Sequence, residues 1–182
     1  MLFARLRPTW LLLLMLLPAV ASAIFGEMAE HNASKHTRLL VMSVNLSTFF
    51  AMIFVCWIAT LAYVLAPTFR SKFLVLFGLG VSVLFRLWQD DITLAFVNST
   101  GKIPELAFIS VDSPVFIMHV LVSLFMIALL ILLSFWLLKK EVTSGILPQS
   151  KAKTILSFFV FPVGMFFIQP RMRKILDAEK AE

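Results

Sequence analysis

The chain has 182 residues, of which 60% are hydrophobic and 14% are charged, and its formal net charge is +6. A soluble domain is about 25% charged and about 45–50% apolar, so this composition excludes the ordinary soluble globular class. The positive charges flank apolar runs, which is typical of membrane proteins, and the net charge is therefore not interpreted as nucleic-acid binding.

Residues 1–23 have the features of a secretory signal sequence. Two arginines precede an apolar run, and residues 21–23 match the small-residue cleavage pattern. Cleavage would leave Ile24 as an exported mature N-terminus, followed by a short polar exported segment over residues 24–38. The alternative is an uncleaved anchor, which leaves the downstream orientation unchanged. We favour cleavage.

Three long apolar runs predict transmembrane helices. Residues 39–66 contain no charged residue and exceed the roughly 20 residues needed to cross a bilayer, and Pro67 ends this helix. Residues 73–97 are interpreted as one helix whose polar residues share a face. An exported loop over residues 98–113 leads to the third span, residues 114–138, whose first proline suits a first helical turn.

A fourth apolar run, residues 154–169, is shorter and is interrupted by Pro162 and Gly164. Both of its flanks are basic, so a re-entrant hairpin hinged at these two residues would keep both flanks cytoplasmic. A fourth full span would instead export the basic cluster that follows. We favour the hairpin, which gives a membrane domain over residues 39–170 and a basic, then mixed-charge, cytoplasmic tail over residues 171–182.

The basic residues predict an orientation for this all-α integral membrane protein. In the hairpin topology, twelve of the 16 Lys and Arg residues are cytoplasmic, three are exported and one is within the membrane. The twelve are Arg5, Arg7, Arg70, Lys72, Lys139, Lys140, Lys151, Lys153, Arg171, Arg173, Lys174 and Lys180. This bias supports a multi-pass topology with an exported mature N-terminus and a cytoplasmic C-terminus. All three asparagines lie in N-glycosylation sequons, but Asn45 is inside a span and the other two lie near the membrane, so we treat the sequons as coincidence and favour a bacterial inner membrane.

The second predicted span carries a polar face. Small or polar residues recur at every fourth position, namely Gly78, Ser82, Arg86 and Asp90. At 3.6 residues per turn these residues line one side of a helix, and beside them lie Gln89, Asp91 and Thr93. Arg86 and Asp90 have the spacing of an ion pair within a helix. Because a charge near mid-membrane costs about 2.5–3.5 kcal/mol on insertion scales, this face is expected to contact protein or water.

This polar face favours subunit packing or a structural ion pair over an ion or proton path. His119, near the exported end of the third span, is positioned to share a network with Asp90 or Asp91, and the alternative is a hydrogen-bonded packing histidine. The tail is interpreted as a basic cytoplasmic patch for a partner or anionic lipid, formed by Arg171, Arg173 and Lys174.

No sequence motif indicates catalysis, since a nucleophile elbow, phosphate loop, zinc-helix motif and dinucleotide fingerprint are all lacking. Cys56 is the only cysteine, which excludes an intramolecular disulfide and a cysteine-based metal site. We therefore predict no cofactor and no metal. The expected partners are the lipid bilayer and other membrane subunits or copies of this chain.

The favoured function is a non-catalytic integral membrane subunit of a larger bacterial envelope complex of the secretion, conjugation or respiratory type. Small size, short loops, a polar helix face and a basic cytoplasmic end lead to this prediction. The alternative is a small oligomeric transporter or channel for ions or solutes. Its polar helix faces would line a shared pore, because three or four spans rarely enclose a pathway alone.

Overall fold

The computed structural model describes residues 7–31, 35–100, 102, 114–160 and 164–181. Regular structure in these residues is entirely helical, which confirms the predicted all-α class. Within the described residues, six helices follow one another: α1 (Pro8–Glu30), α2 (His36–Leu65), α3 (Phe69–Thr100), α4 (Pro114–Thr143), α5 (Lys151–Phe159) and α6 (Met165–Ala181).

Four helices within the described residues are long and apolar enough to cross a membrane. They are Pro8–Ala29, His36–Leu65, Phe69–Thr100 and Val115–Thr143. The last three include nearly all of the three predicted spans, and the first covers most of the predicted signal sequence. At 1.5 Å per residue, α3 is about 48 Å long and exceeds the roughly 30 Å hydrocarbon core of a bilayer.

Proline and hydroxyl side chains determine where several helices begin and end. α2 ends at Leu65, two residues before Pro67, because the residue preceding a proline is disfavoured in helical conformation. Thr68 and Ser71 cap α3 reciprocally: Thr68 Oγ1 accepts the Ser71 N–H at 3.2 Å, and Ser71 Oγ accepts the Thr68 N–H at 3.1 Å. Ser150 caps α5 by accepting a backbone N–H from its first turn.

α4 ends in a Schellman motif centred on Gly145. This glycine has a φ of 69°, in the left-handed region that a residue with a side chain rarely adopts. Ile146 N donates to Glu141 O at 2.8 Å, and Gly145 N donates to Val142 O at 3.2 Å. Both bonds satisfy carbonyl groups that the end of a helix otherwise leaves without an internal donor.

The fourth apolar run, residues 154–169, does not form one continuous helix. Its residues are divided between α5 and α6, and α5 is only about 14 Å long, too short to cross the hydrocarbon core. Gly164 lies against the backbone carbonyl of Ser157, where a Cβ atom would overlap the oxygen. Only glycine therefore fits at this close approach. Pro162, the other predicted hinge residue, lies outside the described residues.

The contacts divide the chain into two compact units. The first comprises Met1–Leu13, Cys56–Leu79 and Ser123–Glu182. Among its most deeply buried apolar side chains are Trp57, Ile58, Leu61, Leu133, Leu137, Met165, Ile168, Met172 and Ile175. The second unit comprises Leu14–Val55 and Gly80–Val122. Its buried cluster consists of Ala29, Leu39, Leu40 and Val97, with Phe25 and Val41 packed against it.

Candidate functional site

Arg86 and Asp90 form an ion pair on α3, and two hydroxyl groups of α2 contact it. Arg86 Nη2 lies 3.1 Å from Asp90 Oδ1, and Arg86 Nε donates to Asp90 Oδ2 at 3.2 Å. Thr48 Oγ1 donates to Asp90 Oδ2 at 2.6 Å, and Arg86 Nη2 donates to Ser47 Oγ at 3.2 Å. These four residues, all within the second unit, are called the Arg86 cluster.

The two charged residues of the Arg86 cluster differ in their exposure to solvent. The Asp90 side chain is only 10% exposed and that of Arg86 is 37% exposed, so the carboxylate depends more on protein partners. The Thr48 hydroxyl also lies 3.0 Å from the Val44 carbonyl, but its one hydrogen serves a single acceptor at a time. The shorter contact to a charged oxygen is the stronger one. The cluster therefore joins α2 to α3 through a neutralised charge pair.

The other predicted polar residues of α3 have different surroundings. Gln89 Nε2 lies 3.4 Å from His119 Nδ1, so this histidine contacts the polar face at Gln89 rather than at the carboxylate of Asp90 or Asp91. Thr93 Oγ1 donates to the Gln89 carbonyl of its own helix at 2.9 Å. Asp91 is exposed and Asp90 is buried, because consecutive residues of a helix point in different directions.

Ser82 and Gly78 are the two small residues of the predicted face. Ser82 is buried. A Cβ atom on Gly78 would overlap the ring of Phe125 from α4, so the missing side chain makes room for that ring. At Gly80, two residues further along α3, a Cβ atom would meet nothing within 4 Å. The Phe125 ring therefore restricts the space at position 78, whereas position 80 is open to alanine.

A second polar cluster lies within the first unit and is centred on Arg171 of α6. Arg171 donates to Glu141 of α4 through two parallel bonds, from Nε to Oε1 and from Nη2 to Oε2, both 2.6 Å long. Arg171 Nη1 also donates to Thr154 Oγ1 of α5 at 3.0 Å. Glu141 is 1% exposed and Arg171 is 6% exposed. These three residues, called the Arg171 cluster, connect three helices.

A further polar contact attaches α6 to α2 in the same unit. Trp57 Nε1 donates to Gln169 Oε1 at 3.2 Å, and both side chains are fully or almost fully buried. Because buried indole and amide groups are costly without a partner, this bond favours one position of α6 against α2. Polar contacts thus link α6 to α2, α4 and α5.

The predicted cytoplasmic basic patch is divided by the orientation of α6. Arg171 is buried in its ion pair with Glu141, Arg173 is half-buried and Lys174 is exposed. Arg171 and Met172 lie on the side of α6 that packs into the core, and Lys174 lies on another side. Arg171 therefore contributes to the interior of the unit and not to a surface patch.

Sequence reasoning did not identify most partners in these clusters. A weak signal exists in α2, where small hydroxyl residues interrupt an apolar span at Ser43, Ser47 and Thr48. Glu141, next to two lysines, resembles an ordinary surface residue in the sequence. The partners that only the structure reveals are Ser47, Thr48, Trp57, Glu141, Thr154 and Gln169.

The chemistry available in both clusters is charge neutralisation and hydrogen bonding between helices. Within the residues that the structure describes, no group of three or more His, Cys, Asp or Glu side chains is arranged to hold a metal ion. Comparisons of the chain with protein-family models, curated proteins and solved structures give no match.

Proposed function

We propose that the chain is a non-catalytic membrane subunit of a larger bacterial envelope complex, of the secretion, conjugation or respiratory type. The observation that carries this proposal is the internal pairing of its charges. Arg86 pairs with Asp90, and Arg171 pairs with Glu141, so these charges are neutralised within the chain. The outer helix surfaces remain apolar and suit contact with lipid and with the helices of other subunits.

Among the four membrane-length helices, α4 has the smallest buried share of its apolar residues, so it is our candidate for such a contact. Only 6% of its most apolar 18-residue window is buried. Its exposed large apolar side chains within the first unit are Leu124, Ile127, Ile131, Leu132, Phe135 and Val142. Since lipid tails are as apolar as these side chains, association here depends on close packing with a partner helix. We propose that another subunit packs against this face.

Site-specific photo-cross-linking in native membranes tests this contact. A photoreactive residue at Leu124, which is 57% exposed, is expected to give a discrete product with an unrelated protein that mass spectrometry identifies. The same residue at Leu129, which is 3% exposed, is the matched control on α4 and should give no such product. Products with lipid alone at Leu124 would contradict the subunit proposal.

The alternative function is a small oligomeric channel or transporter. One observation favours it: the Arg86 side chain is 37% exposed and the contact between Gln89 and His119 is also exposed, so part of the polar face is accessible. Purified protein in liposomes would then conduct ions or protons, and Arg86→Leu with Asp90→Leu would abolish the flux. Cross-links from Leu124 to copies of the same chain would also favour this function.

We also propose an inner-membrane location, with residues 1–23 cleaved as a signal sequence and, as the alternative, α1 retained as an uncleaved anchor. Ser22 Oγ donates to the Ser43 carbonyl at 2.8 Å, and Ser43 Oγ lies 2.8 Å from the Ser22 carbonyl. Ala29, beyond the predicted cleavage position, packs with Leu39 of α2. α1 thus contacts α2 on both sides of that position, and the uncleaved alternative would keep both contacts. The distribution of basic residues favours a cytoplasmic C-terminus in both cases, with an exported mature N-terminus after cleavage and a cytoplasmic N-terminus in the uncleaved alternative.

A further inference from the structure

A cavity of about 420 Å³ opens within the first unit, where three membrane-crossing helices begin or end. Its walls come from the C-terminal end of α2, the first turn of α3, the last turns of α4 and one side of α6. The ends of spanning helices lie near the boundary between the hydrocarbon core and water. A cavity at this level is therefore accessible to lipid headgroups.

Positive charge dominates the lining of the cavity. Three lysines contribute to it, Lys72, Lys139 and Lys140, against the one acidic residue of the lining, Glu179. Glu179 Oε1 lies 2.5 Å from Lys140 Nζ, so this carboxylate neutralises Lys140. Two ammonium groups, those of Lys72 and Lys139, then give the cavity a net positive charge that suits an anion.

Two aromatic residues in the cavity wall have the character of residues at a membrane surface. Tyr63 and Trp136 combine an apolar ring with one polar group, as is typical of the interfacial belts of membrane proteins. Lys72 Nζ lies 4.6 Å from the centroid of the Tyr63 ring. This cation–π contact positions the ammonium at the cavity and does not neutralise its positive charge.

Helix capping is a simpler role for lysines at the end of α4, but other groups already perform it. The backbone N–H groups of Gly145 and Ile146 donate to the last carbonyls of α4, and Thr143 Oγ1 donates to the Lys140 carbonyl at 2.9 Å. Capping therefore does not require the Lys139 side chain, and Lys140 is already paired with Glu179.

We propose that this cavity binds the phosphate headgroup of an anionic phospholipid. The ammonium groups of Lys72 and Lys139 contact the phosphate, and Trp136 and Tyr63 lie beside the glycerol region at the edge of the bilayer. Basic pockets between spanning helices suit such headgroups on charge and location. The proposal is independent of any partner subunit.

Native mass spectrometry of the full chain in a neutral detergent tests this site. The probes are dioctanoyl phosphatidylglycerol, dioctanoyl phosphatidylcholine and inorganic phosphate. The cavity variant is Lys72→Gln with Lys139→Gln. The matched control is Lys151→Gln with Lys174→Gln, which removes the same charge from exposed lysines outside the cavity lining. A third variant, Lys72→Arg with Lys139→Arg, keeps the charge.

We expect phosphatidylglycerol to bind the unmodified chain, the control and the arginine variant with similar affinity. Its affinity for the cavity variant is expected to be lower by about tenfold or more. Far-UV circular dichroism checks that every variant retains its helices. Equal loss in the cavity variant and the control would overturn the proposal, as would equal binding of phosphatidylcholine. Inorganic phosphate that binds as tightly as phosphatidylglycerol would overturn the assignment to lipid and identify free phosphate as the ligand.

Discussion

Glu141 and Arg171 are 30 residues apart in the sequence and form two parallel hydrogen bonds of 2.6 Å in the interior of one unit. A buried ion pair contributes little net stability compared with apolar residues, but the loss of one partner leaves a charge without compensation. A substitution of either Glu141 or Arg171 alone is therefore expected to weaken the packing of α6 against α4.

Glu141→Leu is expected to destabilise the protein by about 3–5 kcal/mol, because it leaves the Arg171 guanidinium buried without its carboxylate. Chemical or thermal unfolding in detergent, followed by circular dichroism, measures this. Adding Arg171→Met should recover much of the loss, since the double variant buries no unpaired charge. A double variant less stable than Glu141→Leu alone would contradict this account.

Thr48→Val is expected to cost about 0.6–1.7 kcal/mol, the range of hydrogen bonds between membrane helices. The substitution removes the 2.6 Å bond to Asp90 while it keeps the shape of the side chain. Thr60→Val is the control on the same helix, because its hydroxyl donates to the Cys56 carbonyl within α2. Equal unfolding free energies for the two variants would show that the bond to Asp90 contributes nothing.

Gly164→Ala should disrupt the approach of α6 to α5, because the added Cβ atom would overlap the Ser157 carbonyl oxygen. Because the clash is with backbone, a helix must move to relieve it. We therefore expect a loss of stability of about 3 kcal/mol or more, the upper end of the usual range for overpacking. Limited proteolysis around residues 150–165, together with thermal unfolding, measures this. Gly80→Ala has open space in the interior of α3, so it should leave the proteolysis unchanged and should not lower the unfolding temperature.

Gly78→Ala is expected to destabilise the protein by about 1–3 kcal/mol through overlap with the Phe125 ring. The obstacle is a side chain, so a smaller partner should relieve it. Phe125→Leu is predicted to cost less in the Gly78→Ala background than in the unmodified chain. A double-mutant cycle measures this coupling, and strict additivity would contradict direct contact between the two positions.

Retention of α1 predicts that the purified protein has the intact mass of a chain beginning at or next to Met1. A mass that begins at Ile24 would instead establish cleavage. In the retained protein, Ser22→Ala should cost about 0.6 kcal/mol, because it removes a hydroxyl that bonds to Ser43 of α2. Ser99→Ala is the control, since its hydroxyl donates within α3 to the Phe96 carbonyl.

The sequence by itself determined the helical class and the membrane-crossing lengths of the helices. Both are local properties: an apolar run must satisfy its backbone within itself in a bilayer, and its length decides whether it can span. Pro67 marked the end of α2 for the same reason, because proline restricts its own neighbours in the chain. The i,i+4 spacing of Arg86 and Asp90 was likewise readable, since one helix contains both residues.

Tertiary structure alone decided which residues of different helices meet. Arg171 appeared in the sequence as part of a basic surface, and Gln169 as one polar residue among many, yet α6 directs Arg171 to Glu141 and Gln169 to Trp57, 112 residues away. Such pairs depend on the rotation and separation of packed helices, which no local pattern records. The interruption of residues 154–169 was readable from Pro162 and Gly164, but the close approach of Gly164 to the Ser157 carbonyl exists only once α5 and α6 have met.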